Sequence, residues 1–318
     1  MNYFKDLKEI KGDASFRKFY RKRSKNLTSI IVFASKEKFK NLLVYDAINK
    51  ILITNKILAP ITYHENYNKN FIEIEDFGDI SIYKILKKKK VKKFFYFKKA
   101  IELLNKIQVI KNRKIKNFKK NNYVISKYNK EIIIKEANLF CNWYLNKRLL
   151  KNEKINFIKN FKKIIKDLTS KLKLRNDVFV HRDFHVSNLM LVKDRIGIID
   201  SQDALIGNRA YDLASLIDDV RLQTSKSFKK RLYNFYLSKQ KKINKKKFKN
   251  DFEILSVLRN LKIIGIFTRL AIRDGKVKYL KLIPHAWKLI SLRIKKNTVF
   301  NDLDNLLSKN FKRELNAN

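Results

Sequence analysis

Residues 178–200, VFVHRDFHVSNLMLVKDRIGIID, decide how the rest of the chain is read. Three short apolar runs, Val178–Val180, Leu189–Val192 and Ile196–Ile199, are separated by polar residues and a turn. Apolar runs this short, rich in Val, Ile and Leu and set off by polar residues, predict buried strands. His181, Arg182, Asp183, Asn188 and Asp200 then fall where strands end. Apolar flanks anchored in a core fix the geometry of such residues, so two carboxylates and a carboxamide are aimed at one place.

Upstream, residues 1–79 read as strands with one helix. SFRKFYRKR (15–23), LTSIIVFAS (27–35), ITYH (61–64) and NFIEIEDFG (70–78) are strand-like, and the last alternates cleanly from Phe71 to Glu75. KEKFKNLLVYDAINKILITNK (36–56) has helical spacing. From residue 80 onward the period is helical. Amphipathic helices are predicted over 80–110, 128–150 and 155–174, and again from the last Asp motif to the C-terminus. The basic stretches 111–121 and 240–250 are expected to be loops. No repeat and no Pro- or Gly-rich linker interrupts the pattern. The expected fold class is α+β: a small β-rich N-lobe, 1–79, followed by a large, mostly helical C-lobe, 80–318. That is the bilobal arrangement of protein-kinase-like folds.

The composition narrows the function classes. The 318 residues are 45% hydrophobic and 12% aromatic, enough for a sizeable core. A single cysteine, Cys141, rules out a disulfide framework, and four scattered histidines argue against a Cys/His zinc cluster. The charged N-terminus MNYFKDLKEIKGD has no apolar core of a signal peptide, and no uncharged run is long enough to span a membrane. A soluble, cytoplasmic monomer is expected. The formal charge of +46 invites a nucleic-acid reading. The lysines are spread along the chain rather than gathered in one stripe, which is what a recognition surface requires. Joint enrichment in Lys, Asn, Ile and Phe also follows from A+T-rich codons. No dedicated nucleic-acid partner is expected, though the field should draw anionic ligands inward.

HRDFHVSN (181–188) has the H-R-D-x-x-x-x-N spacing of a kinase catalytic loop. Phosphoryl transfer from ATP needs one carboxylate to take the proton of an acceptor hydroxyl, and oxygen ligands for Mg²⁺ beside the phosphates. Asp183 is the candidate base. Asn188 and Asp200 are the candidate metal ligands. A surface turn followed by an unrelated helix cap would also contain a His-Arg-Asp. It would not set an Asn and a second Asp, in order, after a β-rich lobe.

At this point the chain resembles the aminoglycoside-phosphotransferase-like kinases. Within them it is most similar to the anomeric sugar kinases that phosphorylate N-acetylmuramate and N-acetylglucosamine at C1 in peptidoglycan recycling. The segments that carry the resemblance are GDASFRKFYR (12–21), IEIEDFGD (72–79), EANLFCNWYL (136–145), VHRDFHVSNLML (180–191), GIIDSQDALIGNRAYDLASLIDD (197–219) and RNLKIIGIFTRLAIRDGKVKYL (259–280). The resemblance implies that Gly12, Asp13, Ala14 and Ser15 cover the ATP phosphates, and that Glu75, Asp76 and Phe77 form a hinge contacting adenine through backbone. It implies that Asp203 is an auxiliary ligand or orders its loop, and that Asp212 supports the catalytic loop. His181 is expected to order the loop and His185 to be exposed. Gly197 is read as a turn residue. Two departures stand out. The strand SIIVFAS has no lysine where protein kinases hold the α- and β-phosphates, leaving Arg17, Arg21 and Lys36 as candidates. Ser201 follows the metal Asp where an aromatic residue commonly does, which removes a packing contact.

For the acceptor, Glu136, Phe140 and Trp143 fall near one helical face. An aromatic beside a carboxylate suits a sugar, while Phe140, Trp143 and Tyr144 suit a core equally well. Arg269, Arg273 and Asp274, in the late helix-turn segment, are further candidates, alongside Asp203. The expected activity is therefore an ATP- and Mg²⁺-dependent small-molecule kinase acting on an N-acetyl amino sugar. The alternatives are a kinase of another alcohol, such as an aminoglycoside, choline or homoserine, and a non-catalytic basic nucleotide- or RNA-binding scaffold. A scaffold has no need of Asp183, Asn188 and Asp200 together.

Overall fold

The computed structural model describes residues 7–10, 16–25, 27–145, 148–295 and 297–316. By its internal contacts the chain divides into two compact units. One is Met1–Ser126 with Val178–Ile206, and the other is Lys127–Asp177 with Gly207–Asn318.

The first unit is built on a five-stranded antiparallel sheet. Its strands are β1 (Lys8–Ile10), β2 (Lys18–Arg23), β3 (Thr28–Phe33), β4 (Thr62–Asn66) and β5 (Phe71–Glu75), in the order β1-β2-β3-β5-β4. The helix expected over 36–56 is a π-type turn, Phe39–Val44, running into α1 (Tyr45–Thr54). One sheet face and this helix enclose Val32, Ala34, Leu42, Tyr45, Ile72 and Ile74, with Phe19, Ile30, Tyr67 and Phe118 packed around them. Glu73 is buried on β5, where Ser29 Oγ donates to it at 2.6 Å and Lys22 pairs with it at 3.1 Å. Burial pushes the Glu73 carboxyl up, but these two partners outweigh it and hold the group below its ordinary value.

The helix expected over 80–110 is two: α2 (Ile82–Leu86), capped by Ser81, and α3 (Lys93–Gln108). Lys87–Lys90 lie between them, and Lys90 adopts φ 59°. Four adjacent ammonium groups repel one another in a helical turn, so the chain breaks there. The expected loop 111–121 instead begins a hairpin, β6 (Lys114–Lys116) with β7 (Asn122–Val124). The apolar runs of the deciding stretch are strands: β8 (Asn176–Val180), and the hairpin β9 (Leu189–Val192) with β10 (Arg195–Ile198). β8 pairs with β11 (Leu205–Asn208), a strand the sequence pattern did not reveal.

Gly197 is not the turn residue. Lys193 and Asp194 make the turn, at φ 44° and 62°. Gly197 lies inside β10, where an added Cβ would fall 2.6 Å from the Phe77 ring. Its role is close approach of strand and hinge aromatic.

The second unit is helical: α4 (Lys130–Ala137), α5 (Lys151–Ser170), α6 (Ala210–Ile217), α7 (Lys226–Ser238), α8 (Lys245–Asp274), α9 (Ile283–Ile294) and α10 (Asn301–Asn316). The expected loop over 240–250 is shorter, because Asn244 caps α8 by accepting from Lys247 N–H at 2.9 Å. α8 packs against α4, α6 and α9. Gly265 permits the first of these neighbourhoods, since a Cβ there would lie 2.3 Å from the Leu139 carbonyl. Phe140, Phe157, Phe161, Trp287 and Phe311 stack into one aromatic core. Among the described residues no helix is long and apolar enough to cross a membrane.

Candidate active site

The candidate residues fall into two groups, one in each unit. Gly12, Asp13, Ala14 and Ser15, expected over the phosphates, lie outside the described residues.

In the first unit, β8 ends at Val180 and delivers His181, which is fully buried. Arg182 turns the chain through φ 73°, a left-handed conformation that is uncommon for a side chain of this size. The loop is then braced internally. His185 N–H donates to the Asp183 carbonyl at 3.0 Å, and Asn188 N–H to the His185 carbonyl at 2.9 Å. Asn188 Nδ2 donates to the Asp183 carbonyl at 3.1 Å, which turns its amide nitrogen into the loop and its oxygen to the other side. His185 is buried within this turn rather than exposed.

The β9–β10 hairpin carries the chain to Asp200, whose predecessor Ile199 donates its N–H to the Asn188 carbonyl at 3.1 Å. Backbone therefore ties the two candidate metal ligands together. Asp200 is itself left-handed, φ 66° and ψ 41°, with its side chain about one-third exposed. Arg17 pairs with the Asp200 carboxylate and donates to Gln202 Oε1 at 3.0 Å. Gln202 Nε2 in turn reaches Asp200 at 3.1 Å and Asp203 at 3.2 Å. Asp203 is held by Lys40 at 2.5 Å and by Arg182, which bonds its carbonyl at 3.0 Å. The imidazole of His181 registers how close these acids are. Burial holds it below its ordinary value, while Asp183, Asp200 and Asp203 all push it back up. The three carboxylates that the sequence spaced over 21 positions thus all act through their charge on one ring. Asn188 and Asp200 are hard oxygen donors, the chemistry that suits Mg²⁺.

The hinge candidates close β5. Glu75 N–H donates to the Ile61 carbonyl at 2.9 Å, and Phe77 is buried against Gly197. Asp76 accepts from Gly78 N–H at 2.8 Å, and Gly78 at φ 75° turns the chain. Arg21 clamps Asp76 at 2.6 Å and Asp79 at 2.8 Å. Of the three cations proposed to replace the absent lysine, Arg21 is therefore committed to the hinge, and Lys36 lies over the Phe16 ring at 5.8 Å. Arg17 is the one at Asp200.

In the second unit, Glu136 on α4 accepts from the Tyr128 hydroxyl and pairs with Lys262 at 3.0 Å. Lys262 also lies 3.5 Å from the Tyr211 hydroxyl. Phe140 and Tyr144 belong to the core, whereas Trp143, in the π-type turn Phe140–Tyr144, is only half-buried. Arg269 is half-buried on α8, Arg273 pairs with its neighbour Asp274 at 2.7 Å, and Asp212 is fully buried in the first turn of α6. Sequence reasoning missed Lys40, Gln202, Tyr128 and Lys262. Two of them carried a signal: Gln202 lies in the GIIDSQD segment and Lys262 in the RNLKIIG segment.

Comparison with known proteins accords with this geometry. Residues 96–243 match the phosphotransferase enzyme family. The N-acetylmuramate/N-acetylglucosamine kinase of Neisseria meningitidis is 28% identical over 285 residues, 88% of this chain and 83% of that protein. Its namesake in Pseudomonas aeruginosa is 24% identical over 309 residues, 95% and 88% of the two chains. Among solved structures, a choline/ethanolamine kinase family protein from Mesorhizobium loti superposes with a TM-score of 0.63 at 11% identity, over 96% of this chain and 93% of that one, a likeness of fold. With its β-sheet unit, its helical unit and its braced HRD loop, this chain has a protein-kinase-like fold and a stretch that matches the phosphotransferase enzyme family, the equipment of an ATP-dependent enzyme that phosphorylates a hydroxyl group.

Proposed function

We propose that this protein transfers the γ-phosphoryl group of ATP to the anomeric hydroxyl of an N-acetylated amino sugar, N-acetylmuramate or N-acetylglucosamine. It does so as a cytoplasmic monomer serving cell-wall recycling, with lobes divided at residues 79 and 80. The observation that carries the chemistry is the bracing that links Asp183, Asn188 and Asp200: Asn188 Nδ2 donates to the Asp183 carbonyl at 3.1 Å, and Ile199 N–H to the Asn188 carbonyl at 3.1 Å. The sugar is supported by the names of the relatives that align along most of the chain.

Asp183 accepts the proton of the acceptor hydroxyl as its oxygen attacks the γ-phosphorus. A new P–O bond forms, the bond to the bridging oxygen breaks, and ADP leaves. Asn188 and Asp200 hold Mg²⁺, which when bound neutralises charge on the phosphates. Arg17 serves as the phosphate cation in place of the absent lysine, supported by its pairing with Asp200. Gly12, Asp13, Ala14 and Ser15 cover the phosphates, and the backbone of Glu75, Asp76 and Phe77 receives adenine. Asp203 orders the loop through Arg182 and Lys40. Glu136, Trp143 and Arg269 contact the acceptor.

The test is an acceptor panel. Purified protein is incubated with ATP, Mg²⁺ and N-acetylmuramate, N-acetylglucosamine, choline, homoserine or an aminoglycoside. Formation of ADP with loss of the sugar's reducing end is expected for the first two. Phosphate on choline, homoserine or the antibiotic overturns the sugar assignment, and no product with any acceptor overturns the kinase.

A further inference from the structure

Ser201 stands immediately after Asp200 and is fully buried. Its hydroxyl donates to Asn49 Oδ1 at 2.5 Å, across 152 residues of chain. Asn49 is itself almost fully buried on α1, and its Nδ2 donates to the Pro60 carbonyl at 3.0 Å. That second bond fixes which way the amide faces, so its oxygen is presented to Ser201. The segment around Pro60 is tied to both ends of the site. Ile198 N–H donates to the Leu58 carbonyl at 2.8 Å, and Glu75 N–H to the Ile61 carbonyl at 2.9 Å. Asn49 thus closes a ring of hydrogen bonds that joins α1, the approach to the hinge and the strand leading into Asp200.

Asp200 needs such support. A left-handed conformation at a non-glycine residue is strained and persists only where its surroundings impose it. Arg17 restrains the carboxylate from one side. The hydroxyl next in sequence is the handle on the backbone itself. In place of an aromatic packing contact, this chain has a directional bond from the loop to the helix beneath it.

We propose that Asn49 is a positioning residue which, through Ser201, holds Asp200 in the geometry that presents its carboxylate to the metal–nucleotide complex. The inference rests on the kinase reading and assigns α1 a part in it. An ordinary buried polar pair would support folding alone and would affect every ligand equally. A positioning role affects only the part of nucleotide binding that depends on the metal.

The experiment is calorimetric titration of the full chain with ADP, once in Mg²⁺ and once in EDTA, for the wild type, Ser201→Ala, Asn49→Ala and the double variant. Ser201→Ala is expected to weaken Mg·ADP about 5- to 30-fold, the scale of one buried hydrogen bond, and to leave ADP in EDTA within about twofold of wild type. Asn49→Ala, which also loses the bond to the Pro60 carbonyl, should weaken Mg·ADP at least as much, and the double variant should be no worse than Asn49→Ala alone, because the Ser201–Asn49 bond is already absent there. Ser201→Ala deletes a single oxygen and carries the test if Asn49→Ala does not fold. Equal weakening in Mg²⁺ and in EDTA, or additive effects, overturns the positioning role. So does a Ser201→Ala protein that gains as much from Mg²⁺ as wild type. A wild type that gains nothing from Mg²⁺ overturns the kinase reading and this inference with it.

Discussion

A carboxylate that must take a proton cannot also be neutralised by cations, and the loop acids divide along that line. Asp203 is engaged by Lys40 and Arg182 and Asp200 by Arg17, whereas among the described residues no ion pair engages Asp183. Asp183→Asn should therefore lower kcat by about 10²- to 10⁴-fold, the usual span for loss of a positioned acid or base. ADP affinity and thermal midpoint should be unchanged. Steady-state kinetics beside a melting curve check this. Arg17→Met should act on binding, raising KM for ATP by about 10- to 100-fold, as expected for a charged hydrogen bond to phosphate, with a smaller change in kcat. The course of the HRD loop was legible from sequence because its bracing is local: Asn188 bonds a carbonyl five residues away. That Arg17, rather than Arg21 or Lys36, lies at Asp200 was not legible. Its partners lie 183 and 185 residues downstream, and nothing in the spacing of β2 points to them. The burial of His185 was hidden in the same way, since a lone loop histidine has no periodicity to assign it a face.

At the scale of elements, the helical unit is joined by one buried acid. Asp218, at the end of α6, pairs with Lys229 of α7 at 3.1 Å and Arg293 of α9 at 2.8 Å, and accepts from Ser256 of α8 at 2.6 Å. Burial pushes this carboxyl up, but the two cations and the hydroxyl prevail and hold it at about 2. A folded value below the ordinary 3.9 or so of a free aspartate makes its contribution fully present above about pH 4. The contribution is lost as pH falls through about 2. Asp218→Asn should cost about 3–5 kcal/mol, because it strands two buried cations. Denaturant melts at pH 7 should show that loss, and at pH near 2 the variant and wild type should converge. Most helices could be read from period alone, since α5 buries Phe157, Phe161, Ile165 and Leu168 on one stripe, whereas β5, which alternates in sequence, buries Phe71–Ile74 in succession. The exceptions have a common cause. The Lys87–Lys90 break and the capped start of α8 at Asn244 depend on charge repulsion and a single side-chain bond, to which a hydrophobic period is blind. Gly197 was misread because a glycine serves close approach as readily as a turn, and only the Phe77 ring against it tells the two apart.

Over the whole molecule, 75 Lys and Arg face 29 Asp and Glu, and the resulting charge of +46 acts on every anionic ligand at once. A composition set by codon usage would carry the same field as one set by function. ATP is strongly anionic, N-acetylmuramate carries one carboxylate, and N-acetylglucosamine is neutral, so the three should respond differently to salt. Raising ionic strength from about 0.01 M to about 1 M shortens the screening length from ~30 Å to ~3 Å. Electrostatic attraction of this kind is worth roughly 10- to 10³-fold in encounter rate. We expect kcat/KM for ATP to fall by about an order of magnitude or more over that range, with kcat nearly constant. KM for N-acetylmuramate should rise with salt while KM for N-acetylglucosamine stays level. Initial-rate measurements with each sugar across a potassium chloride series make the comparison. If both sugars shift alike, the salt is acting on the protein and not on its ligands. If neither ATP nor N-acetylmuramate responds, the excess lysines are a surface composition with no part in recognition, and selectivity between the two sugars must come from contacts such as those proposed at Glu136, Trp143 and Arg269.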